Sequence, residues 1–277
     1  MEQVAINSRS VKKLTYDFEF SICTLVTRET EYQEMLQTFL DKGFSTKDCE
    51  YLYIDNTTDC TFEAFEGLNH FLQQARGKYI IICHQDILLT DDDRNQLAKC
   101  IQEVDQVDSA WAILANAGGI NFKWIATHLT QKSGKKITEK RLPLLTKTVD
   151  ENFIVVKNDS NLALSHNLKG FHLYGTDICL IADILGYNSY IINFNLLHKS
   201  NGNADKHFYA TKKALMNKYR KAFRSRFLAT TITRFFISGS FTLQTVINIP
   251  SILFFVRQYY KHVWHKKHYV PKHKKTE

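Results

Sequence analysis

The chain has 277 residues, of which 44% are hydrophobic and 23% charged, a globular composition that can bury the core of one large α/β domain or two small ones. Its formal net charge of +8 at pH 7 indicates an anionic partner, which could be nucleic acid, a lipid surface or a phosphate-bearing substrate. The six cysteines form no CxxC pair, and the first residues lack the apolar stretch of a signal peptide, so neither a disulfide framework nor export is indicated and a cytoplasmic location is expected.

Predicted strands and helices alternate in the first part of the chain. The strands are "FEFSICTLVT", "EYLYIDNTT" and "KYIIICHQD". The helices between them are "ETEYQEMLQTFLDKG", which stops at Gly43, and "TFEAFEGLNHFLQQARG". This alternation predicts a parallel sheet with helices on its faces.

The same pattern continues after the third strand. A helix is predicted in "DDDRNQLAKCIQEV", which has acidic residues at its start, and a strand in "SAWAILANAGG". Residues 121–148 are polar and basic, and they are interpreted as an exposed excursion. The segment "DENFIVVK" then predicts a strand, and the residues after it predict a loop, a helix ending near Gly186 and a strand ending at His198.

The residues beyond 223 differ in character from the rest of the chain. The stretch from Phe235 to Val256 is long enough for a membrane-spanning helix, which needs about 20 residues. Pro250 and six polar residues interrupt this stretch: Ser238, Ser240, Thr242, Gln244, Thr245 and Asn248. Four aromatic residues lie beside the basic residues that follow: Tyr259, Tyr260, Trp264 and Tyr269. Because aromatic rings settle at the headgroup level and lysines attract anionic lipid, a membrane-surface anchor is predicted, with a solvated basic tail as the alternative.

Polar residues gather at the predicted strand ends. They are Thr27-Arg28, Asp55-Asn56, His84-Gln85-Asp86, Gly118-Gly119 and His198. In an open parallel sheet, ligands bind outside the carboxyl ends of the strands. A nucleotide-sugar suits these residues, because Asp86 with His198 could bind the Mn²⁺ or Mg²⁺ ion that bridges its diphosphate. Asp55 could accept a hydrogen bond from the base, and the two glycines could let the sugar approach the backbone.

Four segments, in this order, resemble those of glycosyltransferases with the GT-A fold: "SICTLVT", "YLYIDNTT", "ARGKYIIICHQD" and "GFHLYGTDICLIADILGY…LLHKSNG". The resemblance covers Phe18 to Gly202. It is to a bacterial family-2-like group in which "HQD" stands where the metal-binding Asp-x-Asp motif usually lies. It implies a mostly parallel central sheet flanked by helices, with a C-terminal helical extension.

The resemblance also implies roles for individual residues. Asp86 would bind the metal and the donor diphosphate, and His198 would complete that site. Asp177 of "YGTD" matches the carboxylate that activates the acceptor hydroxyl. The residues expected to bind the nucleotide-sugar are Thr27, Asp55, Asn56, His84, Gln85, Gly118 and Gly119. His84 stands where an acidic residue is usual, which leaves open whether it contacts the metal or only the ribose.

Several of these residues also have an ordinary structural interpretation. Asp177 could cap the helix that begins there, Asp55 could close a turn, and His198 could be an unligated strand-end histidine. The acidic run Asp91 to Asp93 is interpreted as a solvated helix start and not as a second metal site, because negative charge suits the helix dipole.

The expected function is the inverting, metal-dependent transfer of a sugar from a UDP-sugar to a hydroxyl of a glycan or lipid-linked acceptor. The expected setting is bacterial surface polysaccharide biosynthesis at the inner face of the cell membrane, with no nucleic-acid partner. Residues 1–17 would form an N-terminal extension, 18–223 the transferase domain and 224–277 the membrane-associating extension.

Three other functions compete with this interpretation. A nucleotidyltransferase would carry a glycine-rich loop near its first strand, and "TLVTRET" has no glycine. A nucleic-acid-binding protein could use the basic tail, although no reader motif is present. A catalytically silent transferase-like domain is suggested by His84 in place of the acidic residue.

Overall fold

The structure, a computed structural model, describes residues 8–200, 202 and 204–264. The chain divides into two compact units, residues 1–215 and residues 216–277. The strands are β1 (Phe18–Val26), β2 (Cys49–Asp55), β3 (Gly77–Cys83), β4 (Ile87–Leu88), β5 (Trp111–Ala115), β6 (Ala117–Gly119), β7 (Ile125–Thr127), β8 (Leu129–Gln131), β9 (Lys136–Ile137), β10 (Leu144–Thr146), β11 (Thr148–Val149), β12 (Phe153–Lys157), β13 (Asn188–Ile191), β14 (Leu197–His198), β15 (Arg226–Ala229) and β16 (Arg234–Ile237). The α-helices are α1 (Glu29–Asp41), α2 (Ala64–Gln74), α3 (Arg94–Val107), α4 (Tyr174–Ile184), α5 (Lys206–Ala222), α6 (Phe241–Ile247) and α7 (Pro250–Tyr259).

A mixed sheet of seven strands forms the centre of the first unit, in the order β10-β13-β5-β12-β3-β1-β2. Strand β1 is parallel to both β2 and β3, as the alternation of strands and helices predicts. Strand β12 is antiparallel to both β3 and β5, because the chain reaches it through short strands and turns and not through a crossover helix. The predicted α/β fold, a central sheet flanked by helices, is confirmed, but the sheet is mixed and not mostly parallel, because β12 and β10 pair with their neighbours in antiparallel orientation.

Helices cover both faces of this sheet. Side chains of α1 and α3 pack in one apolar cluster, and side chains of α2 and α4 pack in another. The residues of β12 alternate between the two clusters, with Phe153 in the first and Ile154 in the second. Because β12 is covered on both faces, its residues are apolar except for Lys157 at its end.

The polar segment 121–148 contains more order than the exposed excursion that the sequence predicts. Strand β7 pairs with β6, and β8 pairs with both β9 and β14. Ala126 and His128 are buried within it. The segment therefore forms part of two small sheets beside the central one.

The acidic run Asp91 to Asp93 precedes α3, as the interpretation as a helix start predicts. The Asp93 carboxylate accepts a hydrogen bond from the backbone N–H of Gln96, at 2.9 Å, and so caps the helix. Asp91 forms an ion pair with Lys136, and the Asp92 carboxylate accepts from the backbone N–H of Asn195. The three carboxylates thus have three separate partners.

The second unit contains the end of α5, the β15–β16 hairpin, and helices α6 and α7. The hairpin was not predicted. The stretch Phe235 to Val256 is divided between β16, α6 and α7, because Ser240 caps α6 and Pro250 occupies the first turn of α7. None of the helices within the described residues is both long and apolar enough to cross a bilayer. The predicted anchor residue Tyr269 lies outside the described residues, as does part of the predicted N-terminal extension.

Gly118 allows a close approach between β6 and β11. A Cβ atom on Gly118 would lie 2.0 Å from the backbone oxygen of Thr148. We expect Gly118→Ala to destabilise the protein by about 1–3 kcal/mol, the usual effect of an added methyl in a packed site, and to lower the Tm measured by circular dichroism. Gly239→Ala is the control, because a Cβ there meets nothing within 4 Å. Equal Tm values for the two variants would contradict the packing role.

Candidate metal and donor site

Polar side chains from two segments of the chain meet at the edge of the sheet where β3 ends. His84 and Asp86 follow β3, and His198 ends β14. The antiparallel pairing of β14 with β4 brings His198 opposite Ile87, one residue from Asp86. A short two-residue strand thus links segments that are more than a hundred positions apart in the sequence.

His84, Asp86 and His198 form a cluster that could hold a metal ion, and their ligand atoms all lie within 4.8 Å of one another. Nδ1 of His84 is 3.8 Å from Oδ1 of Asp86, and Nε2 of His198 is 3.5 Å from the same oxygen. The Ser200 hydroxyl lies 3.0 Å from Nε2 of His198. The structure therefore adds His84 to the pair of residues that the sequence predicts as metal ligands.

The protonation states within this cluster suit a cation. Burial by itself would raise the pKa of Asp86, but hydrogen bonding and the charge of His198, followed by Ser200 and His84, bring that pKa well below its usual value. Burial lowers the pKa of His84, and the neighbouring His198 adds to the effect. An ionised carboxylate and a neutral imidazole are the forms that bind metal.

Tyr174, in the first turn of α4, orients the imidazole of His84. Its hydroxyl donates to the backbone oxygen of Glu151 at 3.2 Å, and that oxygen can only accept. The hydroxyl has a single proton, so it accepts from Nε2–H of His84, 3.1 Å away. This leaves Nδ1 of His84, which faces Asp86, with a free lone pair. A hydrogen bond at the far nitrogen is the usual way in which a protein fixes a metal-binding histidine.

This donor set fits a divalent metal. A carboxylate satisfies either Mg²⁺ or Mn²⁺, whereas two imidazoles favour Mn²⁺, because Mg²⁺ strongly prefers oxygen ligands. The combination of His84, Asp86 and His198 therefore matches the predicted Mn²⁺ more closely than the predicted Mg²⁺.

A cavity of about 230 Å³ lies beside the cluster. Polar side chains line one side of it, and apolar side chains of α2, β1 and β3 line the rest. Oε1 of Gln85 accepts from the backbone N–H groups of Thr27 and Arg28, at 2.8 and 2.9 Å, and its amide donates to the Thr27 hydroxyl. Gln85 thus joins the ends of β1 and β3. Thr27, His84, Gln85 and Asp86 all line the cavity.

Asp55 and Asn56 reach the same edge of the sheet, and they are engaged in the loop that follows β2. The exposed Asp55 carboxylate accepts from both the backbone N–H and the hydroxyl of Thr57, and these bonds lower its pKa. The side chain of Asn56 accepts from the backbone N–H groups of Thr61 and Phe62. These are turn interactions, and the donor-binding role of both residues stays a prediction.

Asp177 lies apart from the cavity lining. Its side chain has no exposed surface, and its two oxygens accept from the backbone N–H and the hydroxyl of Ser165, at 2.7 and 2.6 Å. Such burial does not suit a group that must reach an acceptor hydroxyl. Gly118 and Gly119, which were expected near the sugar, have Thr148 as their close neighbour. The roles assigned to these three residues stay predictions.

The sequence analysis did not identify Tyr174, Ser200 or Glu151. Tyr174 and Ser200 lie in segments that were singled out for other residues, "YGTD" and "HKSNG". Glu151 lies just before β12, and the signal that could have found it is the acidic pair Asp150-Glu151 at the start of an apolar strand. Its carboxylate oxygen Oε1 accepts from the backbone N–H of Gly175 at 3.3 Å.

Comparison with known proteins gives one relative and several similar folds. The chain is 30% identical over 226 residues to "ATP synthase subunits region ORF 6" of Fuscovulum blasticum, a match that covers 79% of this chain and 91% of that protein. That name states no activity. No family model matches the chain.

Similar solved structures include GalNAc-T7 with UDP, GalNAc and Mn²⁺, with 8% identity and a TM-score of 0.47 over 66% of this chain and 44% of that one. TarS of S. aureus has 11% identity and a TM-score of 0.44 over 74% of this chain and 44% of that one. The chain thus spans less than half the length of each. At these identities and TM-scores, the likeness says nothing about the reaction of this chain.

The cluster can be tested with the metal alone. Asp86→Asn removes the only carboxylate of the cluster, so we expect calorimetric titration with MnCl₂ to show a loss of affinity at least as large as the ~10–100-fold that outer-shell changes cause. Asp55→Asn, at the same sheet edge, is the control and should leave Mn²⁺ affinity unchanged. Equal Mn²⁺ binding by Asp86→Asn and the unchanged protein would contradict the assignment.

Proposed function

The chain belongs to the family of the Fuscovulum blasticum protein, and we propose that it is a metal-dependent glycosyltransferase that moves a sugar from a nucleotide-sugar to an acceptor hydroxyl. The single observation that supports this proposal most is the His84, Asp86 and His198 cluster beside a cavity at the carboxyl end of β3. A divalent ion held there would neutralise the charge that develops on the departing diphosphate.

The cavity supplies the other parts that such a reaction needs. Gln85 fixes the ends of β1 and β3 together, which keeps the cavity wall rigid. Arg28 lines the cavity, and its guanidinium, 62% exposed and paired with Glu31 at 2.9 Å, would supply positive charge near a donor diphosphate. We retain Thr27, Asp55, Asn56, Gly118 and Gly119 as expected donor-binding residues, on the resemblance described above.

The finer assignments belong to the same proposal. We propose a UDP-sugar donor, Mn²⁺ as the metal, inversion at the anomeric carbon, and a glycan or lipid-linked acceptor in bacterial surface polysaccharide biosynthesis. The transferase domain would comprise residues 18–223, and nucleic acid would not be a partner.

A screen of sugar nucleotides tests the donor. UDP-glucose, UDP-galactose, UDP-N-acetylglucosamine, UDP-N-acetylgalactosamine and GDP-mannose are each added with Mn²⁺, and the Tm is measured. We expect at least one UDP-sugar to raise the Tm, because a ligand that binds only the folded state stabilises it by about 2.7 kcal/mol at a hundred times its Kd. The stabilisation should disappear with EDTA and in Asp86→Asn.

The identity of the products separates the proposal from its competitors. With the stabilising donor and Mn²⁺, we expect slow release of UDP and free sugar when water takes the place of the acceptor. Release of UMP or pyrophosphate would indicate nucleotidyl or phosphoryl transfer instead. Binding without any donor turnover would indicate a silent domain, and the absence of any binding would overturn the proposal.

We also propose that the second unit binds an anionic membrane surface. Its exposed apolar side chains include Phe241, Phe254 and Phe255, with 82%, 54% and 70% of their surface exposed. A groove of about 240 Å³ between the hairpin and α7 is lined by apolar residues together with Arg234 and Arg257. Apolar groups beside guanidinium groups match a lipid headgroup region, where each Arg or Lys contributes about 1 kcal/mol.

Replacement of exposed apolar residues tests this surface. The double variant Phe254→Asp/Phe255→Asp should fold normally, because both side chains are largely exposed, and should lose binding to vesicles that contain anionic lipid. Binding by the unchanged protein should weaken in high salt. Sedimentation with the vesicles measures both effects.

Phe122→Asp is the matched control, because Phe122 is fully exposed in the first unit. It should sediment with vesicles as the unchanged protein does. If Phe254→Asp/Phe255→Asp sediments with the vesicles as the unchanged protein does, α7 is not part of the membrane-binding surface.

A further inference from the structure

We propose that Glu151 is the general base that takes the proton from the acceptor hydroxyl. This inference rests on the proposed function and deepens it, because it assigns the second chemical group that an inverting sugar transfer requires. Glu151 is not part of the predicted site, and its position follows from the direction of β12.

The start of β12 lies beside the cation cluster. Because β12 is antiparallel to β3, its first residue, Phe153, is opposite Cys83, the last residue of β3. One step beyond, the backbone N–H of His84 donates to the backbone oxygen of Asn152 at 3.0 Å. Glu151 therefore lies at the sheet edge where β3 ends, one residue past the hydrogen bond to His84.

Tyr174 joins Glu151 and His84 on the same face of the sheet. Its hydroxyl contacts the backbone oxygen of Glu151 at 3.2 Å and Nε2 of His84 at 3.1 Å. Tyr174 and His84 both line the cavity described above. Two hydrogen bonds of the Tyr174 hydroxyl thus connect the backbone of Glu151 to His84, a proposed metal ligand. Tyr174 itself lies in the cavity wall.

The carboxylate of Glu151 lies at the first turn of α4. A Cβ atom at Gly175 would lie 2.4 Å from the backbone oxygen of Val149, so no side chain can stand at that position. Oε1 of Glu151 accepts from the Gly175 N–H at 3.3 Å, and the backbone N–H of Leu173 also donates to this carboxylate. Glu151 is partly exposed, and within the part of the chain that the structure describes it has no ion pair with lysine or arginine.

The electrostatic setting suits proton transfer near neutral pH. Burial raises the pKa of Glu151 to about 7, and the adjacent Asp150 carboxylate adds to the rise, against backbone N–H donors at the start of α4. Other titratable groups on this side include the Tyr174 hydroxyl, the His84 imidazole and the Asp86 carboxylate. A base is most effective when its pKa lies near the pH at which it works.

Asp177, the residue that the sequence predicts for this role, differs from Glu151 in the exposure of its side chain. Its side chain has no exposed surface, and Ser165 donates to both of its oxygens. A carboxylate so engaged would have to break two hydrogen bonds to reach an acceptor. The Glu151 carboxylate accepts from backbone N–H groups, those of Gly175, Leu173 and Glu151 itself, and unlike Asp177 it is partly exposed.

The proposed step conserves atoms and charge. The acceptor oxygen forms a bond to the anomeric carbon of the sugar, and its proton passes to a carboxylate oxygen of Glu151. The bond from the anomeric carbon to the diphosphate oxygen breaks, and its electron pair leaves with the nucleoside diphosphate. Glu151 then releases the proton to water.

The test uses the whole protein, Mn²⁺ and the UDP-sugar that stabilises it most, with water as the acceptor. We expect Glu151→Gln to slow UDP release by a factor on the order of 10²–10⁴, the usual contribution of acid–base catalysis, with the Kd for UDP and Mn²⁺ unchanged. Glutamine keeps an oxygen that can accept from the Gly175 N–H, so the Tm should change little.

Glu63→Gln is the matched control. Glu63 precedes α2, and its carboxylate accepts from the backbone N–H of Gly170 at 3.2 Å, so it shares the hydrogen-bonding role of Glu151. It should release UDP at the rate of the unchanged protein. A normal rate in Glu151→Gln would overturn the inference, and loss of the rate in Asp177→Asn alone would return the role to Asp177. If the unchanged protein neither binds nor hydrolyses any UDP-sugar, the proposed function itself fails.

Discussion

The antiparallel pairing of β12 with β3 is the constraint on which the candidate site depends. Both strands are covered on both faces, and the residues that pair between them toward the site, Tyr79–Cys83 and Phe153–Val156, are apolar. The end of β3 and the start of β12 coincide at one edge of the sheet, where polar groups reach the cavity without crossing the core. The apolar run Tyr79 to Cys83 therefore gives way to His84-Gln85-Asp86 at the point where the sheet ends.

His84 and Asp86 could be predicted as a polar site because their signal is local, whereas His198 joins them only through the pairing of β14 with β4. A strand of apolar residues followed at once by a histidine and an aspartate indicates a strand end with a polar function. The sequence leaves the metal contact of His84 open, because this histidine stands where an acidic residue is usual. The protonated nitrogen of His84 depends on Tyr174, 90 positions away along the chain.

Glu151 could not be found in the same way, because its place depends on the direction of a strand. In a parallel sheet the residues before a strand lie at the opposite edge from the site. The chain enters β12 from the ordered segment 121–148, so the strand runs the other way and brings its first residues to the functional edge. The burial of Asp177 is likewise a long-range effect, since the loop that holds Ser165 covers it. Local sequence patterns do not show that another loop will bury a side chain.

The charges of the cluster explain why one carboxylate with two imidazoles is a useful combination for a diphosphate ligand. Three carboxylates would outweigh the charge of a divalent ion and repel a phosphate group. Asp86 with the neutral imidazole of His84 would leave such an ion a net positive charge, beside the cavity that both residues line. Tyr174 preserves this balance, because its hydroxyl satisfies the outer nitrogen of His84 without adding charge. The same hydroxyl donates to the backbone oxygen of Glu151, so one neutral side chain connects the histidine proposed to hold the cation to the backbone of the residue proposed to receive the proton.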